Sequence, residues 1–591
     1  MIMKKRFIKT LVAICATTML MIPFAACDTK NVKSVDAGEE WVVTETTNLD
    51  SLTIAEGATI TAPDGYQVTL TVNHVETGIE PGTYGGDIVL TPTENFTSTA
   101  TMHGGTYNLR TAIYVDDGGI VPEKSVLSAA AGGTVTGDSA TDVTITSVGE
   151  NFNGIYATGD STYSVINPKI NFTGNGGCDF AGYGAAIMLT GKADVTVNNA
   201  SIITNGVVRT AFWGGGESTF HLNDSYVETG SPPLPEDYVD AFEDGGELMW
   251  KIPFMLGMTG SCRSTNLLQS ATAYYTNTHF KAHGWGALST DASQDVKLYA
   301  TNCLIETVES GYGAYALSGA VDTFSGCTFN VVDMALCATG GDGVFTDGTV
   351  VNSGRFGIMY HGSGDVTIDK GSVFNTKSTA IQLKSPGHNI VVDNSQLNPE
   401  NGIIIQTMAN DDPYMSGGRM PGGDMPEGGM PGGPPGVGRP EVSNDTNATF
   451  SNMTLNGDII HGDTASCPVN ITFENATITG AITTATVKHA LGPNGEEITM
   501  QTPELYYLIG EVTNTFCSVP DDPHGLTVSL DVNSNWIVDE TSYLTSLNIA
   551  QGATITAPKG YSVTMTVDGV KKPIGAGNYE GQIVLTVTSG A

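Results

Sequence analysis

Short apolar segments recur along most of this chain at a nearly constant interval. Each copy has an apolar residue, a polar or Asn/Gly turn and a second apolar residue five positions after the first, as in residues 197–202, 345–350 and 368–373, and neighbouring copies begin mostly 21 to 25 residues apart. About ten residues before most copies lies a second short strand, as in residues 154–157 and 186–189. Strands this short bury an apolar face only by stacking on copies of themselves, so the repeat predicts a parallel β-helix.

The repeat also distinguishes this fold from other all-β folds. An antiparallel sandwich would need hairpin turns and longer strands, and it would not give a fixed period. We therefore expect an all-β chain that forms a single right-handed parallel β-helix over residues 93–500, in which each coil packs only on its neighbours. Two stretches interrupt the repeat and are expected to be loop excursions: residues 230–246, rich in Pro and acidic residues, and residues 407–445, with Met-Pro and Gly-Gly pairs.

The two ends of the chain carry a separate duplication. Residues 41–92 align without a gap on residues 536–587, with 31 of 52 positions identical and Trp41 falling on Trp536. Because a solenoid exposes an open strand edge at each end, we expect two β-rich modules, at 41–92 and 536–591, to act as caps. Duplicated binding modules are the alternative. Residues 501–535 are expected to be a connecting β segment.

The first 26 residues have the pattern of a bacterial export signal. Four basic residues precede an apolar run at residues 11–24, and Cys27 follows two alanines. This order resembles a lipoprotein signal peptide, although Phe24 stands where that motif usually has Leu. We expect residues 1–26 to be removed, Cys27 to be lipidated, residues 27–40 to be a tether, and the protein to be exported and anchored to the outer face of the cell membrane. No later segment approaches the roughly 20 apolar residues of a membrane-spanning helix.

Charge limits the class of partner. Four of the 25 Lys and Arg residues lie in the leader, so 21 remain against 62 Asp and Glu. So acidic a chain is a poor ligand for nucleic acid and for anionic lipid surfaces. We therefore expect no nucleic-acid partner and contact with the membrane only through the lipid. The acidity either keeps an extracellular protein soluble or supplies ligands for calcium.

Cysteine usage indicates neither a disulfide framework nor a zinc site. Seven cysteines remain after Cys15 and Cys27, and none has CxxC spacing. Cys303 and Cys327 fall at the same place on consecutive coils. They are predicted to form a stacked pair of buried thiols, with a disulfide as the alternative.

Candidate functional residues follow from the alternation of side chains along a strand. If residues such as Ile155, Ile187 and Ile358 share one inward position, the residues three places before and after them face outward. Aromatic rings stack on the apolar faces of sugars, while Arg and carboxylate side chains bind their polar groups. The column three places before is therefore a candidate glycan-binding face, or else an ordinary outer surface. Its candidate ligands are Arg209, Trp285, Tyr312, Asp333 and Arg355.

The coil period, the Asn/Gly turns and the stacked short strands resemble those of the pectate-lyase-like class of right-handed β-helices. Lyases of that class need calcium or a similar charge sink, together with an Arg or Lys base. The resemblance then implies Arg355, His361 and Lys384 as candidate catalytic residues and calcium as a candidate cofactor. No compact group of aspartates stands beside them in the sequence. A hydrolase would need paired carboxylates, for which the sequence gives little evidence.

A second resemblance is to anchored carbohydrate-binding β-helix lipoproteins, which share the cysteine after the leader and often carry loops like the Met-Pro-Gly-Gly segment at residues 420–433. It implies binding of an extracellular polysaccharide, sometimes through calcium, without catalysis. The expected function is that of a cell-surface carbohydrate-binding or adhesive protein. The alternatives are a polysaccharide lyase or glycoside hydrolase on the same scaffold, and a structural or partner-protein-binding surface protein.

Overall fold

Most of the chain winds into a right-handed parallel β-helix with three long sheets. The computed structural model describes residues 30–100, 105–236, 257–293, 295–409, 445–498, 502–508, 510–517 and 524–590. Most coils contribute one strand to each sheet in turn. For example, Ile187–Leu189 lies in sheet 1, Asp194–Asn198 in sheet 2 and Ser201–Thr204 in sheet 3. The expected all-β fold is confirmed.

The strands have the following bounds. Sheet 1 contains Phe96–Thr99, Thr106–Asp116, Gly119–Ile120, Phe152–Ala157, Ile187–Leu189, Phe212–Gly214, Thr265–Gln269, Gly286–Ser293, Tyr312–Leu317, Met334–Thr339, Ile358–Gly362, Ile381–Leu383, Ile403–Thr407, Asp458–His461, Ile482–His489 and Val512–Phe516. Sheet 2 contains Thr134–Val135, Ser139–Thr141, Thr162–Ile166, Asp194–Asn198, Thr219–Asn223, Thr272–Thr276, Lys297–Thr301, Val321–Ser325, Asp342–Thr346, Asp365–Ile368, Asn389–Asp393, Thr446–Ser451, Val469–Glu474, Leu526–Leu530, Ser542–Ile549, Tyr561–Val567, Val570–Lys572 and Gly577–Ser589. Sheet 3 contains Val32–Val35, Thr47–Ile54, Tyr66–Val72, Val75–Thr77, Gly82–Glu94, Ala130–Ala131, Thr144–Ser147, Lys169–Phe172, Ser201–Thr204, Tyr226–Thr229, His279–Ala282, Leu304–Thr307, Thr328–Val331, Val350–Ser353, Val373–Thr376 and Gln396–Pro399.

Smaller elements complete the fold. A four-stranded sheet is formed by Thr454–Asn456, Thr477–Thr479, Asn535–Ile537 and Thr554–Thr556, and a two-stranded one by Glu40–Val42 and Thr59–Thr61. Short 3-10 helices lie at Pro122–Lys124, Leu127–Ala129 and Pro503–Leu508. None of the described elements is a helix with the length and apolarity to cross a membrane.

A two-residue turn joins sheet 2 to sheet 3 in most coils, and its first residue has a positive φ. Asn167, Asn199 and Asn277 adopt φ of 52°, 54° and 50°. Asparagine tolerates this left-handed conformation better than other residues with a side chain, which explains why Asn recurs there in the sequence.

The core fills the lumen of the β-helix and runs from Ala112 to Leu585. Phenylalanine rings contact one another inside it from coil to coil: the centroids of Phe324 and Phe345 lie 5.1 Å apart, and those of Phe345 and Phe374 lie 5.0 Å apart. Side chains of sheets 2 and 3 alternate between this core and the outside, as expected for half-buried strands.

The two terminal modules have the same strand order but different cores. In the first module the strand Val32–Val35 pairs with Thr47–Ile54, so the module begins within the segment expected to be a tether. Its core is a separate cluster that includes Leu52, Leu70 and Ile88. The second module begins at Leu526–Leu530, which stacks on Val469–Glu474 and places its apolar residues in the main core.

The segment expected to connect the β-helix to the second module has two different parts. Pro503–Leu508 forms a 3-10 helix and Val512–Phe516 an antiparallel strand at the end of sheet 1, while Leu526–Leu530 already belongs to the second module. The leader at 1–26, Cys27 and most of the excursions at 230–246 and 407–445 lie outside the described residues.

Candidate functional site

The outer face of sheet 1 carries the residues expected to bind a glycan, and it is covered. Arg209, Trp285, Tyr312 and Asp333 are 0%, 2%, 1% and 5% exposed. An apolar cluster separate from the lumen core lies on this face and includes Trp285 and Tyr312. The expected exposure of these side chains is therefore wrong, and their role as glycan ligands stays a prediction.

The register of sheet 1 agrees with most of the expected inward column. Ile155 pairs with Ile187, and Leu336 pairs with Ile358. Asp333 and Arg355 lie on neighbouring coils, since the Arg355 amide donates to the Asp333 carbonyl at 3.0 Å. Tyr312 was expected in the outward column, level with Asp333, but it pairs with Met334, so that expectation is wrong by one residue.

Arg263, which the sequence analysis did not single out, is the centre of a buried charge network on this face. Its guanidinium donates to Asp179 Oδ2 at 2.5 Å and to Asp291 Oδ2 at 2.8 Å. The Trp285 ring centroid lies 5.0 Å from the guanidinium carbon. Trp285 therefore packs on a buried ion pair, where its ring is unavailable to a ligand in solution.

The remaining candidates on this face have protein partners as well. Arg209 donates to the Asn175 carbonyl at 3.0 Å and to Ser147 Oγ at 3.1 Å. Arg355, whose side chain is 11% exposed, lies 3.3 Å from Asp333 and donates to the Gly257 carbonyl at 3.0 Å. These contacts hold the loop connections of the β-helix against sheet 1.

His361 and Lys384, the other two candidate catalytic residues, are 5% and 0% exposed. Part of the cover over sheet 1 comes from residues remote in sequence. Ser378 donates to Glu511 at 2.8 Å, and Asn514 donates to Gln406 at 3.3 Å. The expectation of an open catalytic face at Arg355, His361 and Lys384 is therefore wrong as to exposure, and their catalytic role remains a prediction.

The outer face of sheet 3 is open, in contrast to that of sheet 1. Each strand from Lys169–Phe172 to Gln396–Pro399 has four residues, of which the second and fourth are buried and the first and third are partly or fully exposed. Two outward columns result. The first column is Lys169, Ser201, Tyr226, His279, Leu304, Thr328, Val350, Val373 and Gln396, and the second is Asn171, Ile203, Glu228, Lys281, Glu306, Asn330, Asn352, Asn375 and Asn398.

Four asparagines on consecutive coils form a hydrogen-bonded ladder in the second column. Asn398 Nδ2 donates to Asn375 Oδ1 at 3.0 Å, Asn375 donates to Asn352 at 2.9 Å, and Asn352 donates to Asn330 at 3.0 Å. Each amide has two N–H donors and two acceptor lone pairs. Since the ladder uses one of each in its interior, every rung keeps polar capacity that faces outward.

The asparagine ladder forms one wall of a groove of about 650 Å³. Val332 contributes to its apolar lining, and an ion pair between Lys377 and Glu400 lies at its end. Neighbouring rungs are about 4.8 Å apart, the spacing of parallel strands. The groove is therefore a polar track with a regular repeat along the helix axis.

Charged side chains continue the second column beyond the ladder. Glu228 accepts from Tyr226 at 2.6 Å and from Lys281 at 2.9 Å, and it lies 2.8 Å from His283 Nε2. The hydrogen bond from Lys281, followed by that from Tyr226, lowers the pKa of Glu228 to about 2. Burial, followed by the hydrogen bond to Glu228, raises the pKa of Tyr226 to about 12. Glu228 is therefore ionised and Tyr226 protonated across the physiological pH range.

A second groove, of about 600 Å³, lies where the first column meets the turns from sheet 2. Tyr226 and His279 line it, with ring centroids 5.1 Å apart and nearly perpendicular planes. Turn residues line it too: Asn199 donates to Asn167 at 2.8 Å. This groove thus combines an aromatic pair with amide groups on successive coils.

Among the residues that the structure describes, no three His, Cys, Asp or Glu side chains come together as metal ligands. Calcium binding therefore stays a prediction without an assigned site.

Residues 285–411 match a family model described as a right-handed β-helix region. The match covers five of the nine four-residue strands of the open face, from Leu304–Thr307 to Gln396–Pro399. The sequence matches no curated protein. The match agrees with the fold, and it assigns no ligand to either groove.

Proposed function

We propose that this protein is an exported, surface-anchored carbohydrate-binding protein that holds an extended polysaccharide along the outer face of sheet 3. The observation that carries the proposal is the asparagine ladder from Asn330 to Asn398 on the wall of an open groove. Sugar hydroxyls both donate and accept hydrogen bonds, as do side-chain amides. Rungs at the spacing of the coils suit a linear polymer whose units have a similar length.

The character of the groove favours binding over catalysis. Amides do not titrate near neutral pH, so the ladder contains no general acid or base. The charged residues at its end, Lys377 and Glu400, are paired with each other and largely exposed. The residues expected to act in a lyase lie instead under the cover of sheet 1. We therefore propose glycan retention without bond cleavage.

A panel of soluble polysaccharides tests this proposal. The mature protein is run in affinity gels that contain mixed-linkage β-glucan, xylan or polygalacturonate, with and without calcium, while absorbance of unsaturated products is followed in solution. We expect retardation by at least one polymer and no growth of absorbance. Absorbance growing with time would make the protein a lyase, and a lack of retardation by every polymer would overturn carbohydrate binding on this panel.

A matched pair of variants locates the binding face. Sheet 2 carries a similar ladder, in which Asn447 donates to Asn389 at 3.3 Å and Asn470 donates to Asn447 at 3.1 Å. We expect N352A/N375A to weaken binding about thirtyfold, since each of the two substitutions loses hydrogen bonds worth about 1 kcal/mol. N447A/N470A, with the same chemistry on another face, is expected to retain the affinity. Equal affinities for the two double variants would remove the ladder of sheet 3 from the binding face.

Anchoring through Cys27 is a separate part of the proposal, supported by the leader and by the position of this cysteine. The mature chain reaches its first strand at Val32, so a lipid on Cys27 would hold the first module close to the membrane. Cells labelled with a fatty acid are expected to incorporate label into this protein and not into the C27S variant. Labelling of both, or of neither, would contradict lipidation at Cys27.

A further inference from the structure

The asparagine ladder and the second groove are joined by a continuous chain of side-chain contacts. Asn330 Nδ2 donates to Glu306 Oε1 at 3.3 Å, and Glu306 Oε2 lies 2.6 Å from His279 Nε2. The His279 ring in turn contacts the Tyr226 ring. From Asn398 to Tyr226, every one of seven successive coils therefore contributes a side chain to one connected series.

The two ends of this series offer different chemistry. The asparagine ladder supplies donors and acceptors but no ring. The second groove supplies the rings of Tyr226 and His279, and rings pack against the C–H faces of sugars. The amide ladder of its turns, formed by Asn199 and Asn167, adds hydrogen-bonding groups there. A ligand confined to either groove would therefore meet only part of what the face provides.

We infer that the second groove is a further glycan-binding subsite, and that the two grooves are one track for a long linear polysaccharide. This inference rests on the proposed function. Six coil spacings separate the strand of Tyr226 from that of Asn398, a distance of about 30 Å along the axis. A chain of about four sugar units reaches across only one groove, whereas a chain of about ten reaches both. We therefore expect the ligand to be a long polymer, and not a short oligosaccharide or the end of a chain.

An uncharged polysaccharide could pass over the charged residues that lie between the two grooves. Glu228 is paired with Lys281 and His283, and Glu306 is paired with His279. Because the carboxylates of Glu228 and Glu306 already have these partners and are partly buried, a polymer that crosses them gains little from either carboxylate. The central coils therefore act as a spacer that sets the distance between two binding regions.

Length-fractionated oligosaccharides of the retained polymer, among mixed-linkage β-glucan, xylan and polygalacturonate, test the inference by calorimetry. We expect the affinity of fractions of about ten units to exceed that of fractions of about four units by at least tenfold, because a second engaged subsite binds at a high effective concentration. Y226A should lower the affinity for the long fraction about tenfold and leave that for the short fraction unchanged.

Tyr274 provides the matched control, since it is an exposed tyrosine on sheet 2 in the strand Thr272–Thr276. Y274A is expected to bind both fractions like the unmodified protein. If the short and long fractions bind with equal affinity and Y226A changes neither affinity, the continuous track is overturned and the proposed function still stands. If the unmodified protein binds none of the three polymers, the proposed function itself is overturned. Melting temperatures equal to that of the unmodified protein would show that Y226A and Y274A are folded.

Discussion

Trp41 and Trp536 occupy equivalent positions in the two terminal modules, but only Trp536 is fully buried. The Trp536 indole is 0% exposed and donates from Nε1 to the Gly480 carbonyl at 2.9 Å. Trp41 is partly exposed, and the Lys33 ammonium lies 5.3 Å from its ring centroid. The same residue is thus bonded to the coil before it in one module and lies in a strand of a two-stranded sheet in the other.

This difference predicts unequal costs for the same substitution. W536A removes a large side chain from the end of the main core and leaves a carbonyl without its donor, so we expect a loss of about 4 kcal/mol in the free energy of unfolding. W41A should cost about 1 kcal/mol or less, because the ring is only partly buried. Urea denaturation followed by circular dichroism measures both. Equal losses would show that the two modules are packed alike.

A second prediction concerns the buried network on sheet 1. R263M leaves Asp179 and Asp291 without their shared cation in a buried setting, and we expect it to lower the free energy of unfolding by about 3–5 kcal/mol. The exposed pair of Lys192 and Glu217, 3.6 Å apart, is the control, and K192M should change stability by less than about 1 kcal/mol. Glycan retention by both variants should persist under conditions where they are folded. If R263M is stable but retains less glycan, the binding site lies on sheet 1.

The sequence predicts the coils well because the β-helix repeats one local rule. The apolar positions of each strand must face the lumen, and Asn suits the left-handed turn before sheet 3, so period and register are visible without knowledge of distant contacts. The one-residue error at Tyr312 arose where two apolar residues, Ala314 and Tyr315, are both acceptable inward choices. Pairing of Ala314 with Leu336 makes Ala314 the inward residue.

The covered face was missed for a physical reason. Alternation distinguishes inward from outward residues on a strand, but it gives no information about whether another segment lies over the outward side. That cover includes residues such as Gly510 and Glu511, more than 100 positions away from the strands they overlie. The aromatic and charged composition of the outward column, taken as a sign of a sugar-binding surface, is also that of a second buried layer.

The sequence also contains a signal for the asparagine ladder. Asn330, Asn352, Asn375 and Asn398 each occupy the third position of a four-residue strand, at intervals of 22 or 23 residues. A polar residue repeated at the coil period outside the turns indicates a ladder on an open face. The path from the ladder to Tyr226 needed the structure, because it passes between two different columns.

A third prediction concerns pH. Burial raises the pKa of Asp458 to about 6, and the nearby Asp539 and Glu540 act in the same direction. A carboxyl whose pKa is higher in the folded than in the unfolded protein stabilises the fold at low pH, and this contribution is lost as the pH rises through 6. D458N stays neutral and keeps an oxygen to accept the Ala481 amide, now 2.8 Å from Asp458 Oδ1.

We therefore expect D458N to be more stable than the unmodified protein at pH 8 by about 1–2 kcal/mol, and equally stable near pH 4. Melting curves across this range measure the difference. Asp347, which is exposed and has its pKa lowered by Ser325 and Lys370, is the control, and D347N should show no gain at high pH. A D458N protein that is less stable at pH 8 would contradict the raised pKa.

The last prediction concerns the thiols of Cys303 and Cys327, which are free and stacked on neighbouring coils in the lumen. The hydrogen bond between them lowers the pKa of Cys303 and raises that of Cys327. Strands of a parallel sheet are spaced within the range that a disulfide spans.

We expect a disulfide oxidant such as diamide to join the two cysteines, with each losing a hydrogen as the oxidant is reduced. Peptide mapping should then find the crosslink, and the protein should gain about 3 kcal/mol from the closed loop. C303S, which keeps a hydrogen-bonding group at the same place, should gain nothing from oxidant. A stabilisation of C303S equal to that of the unmodified protein would assign the effect to another pair.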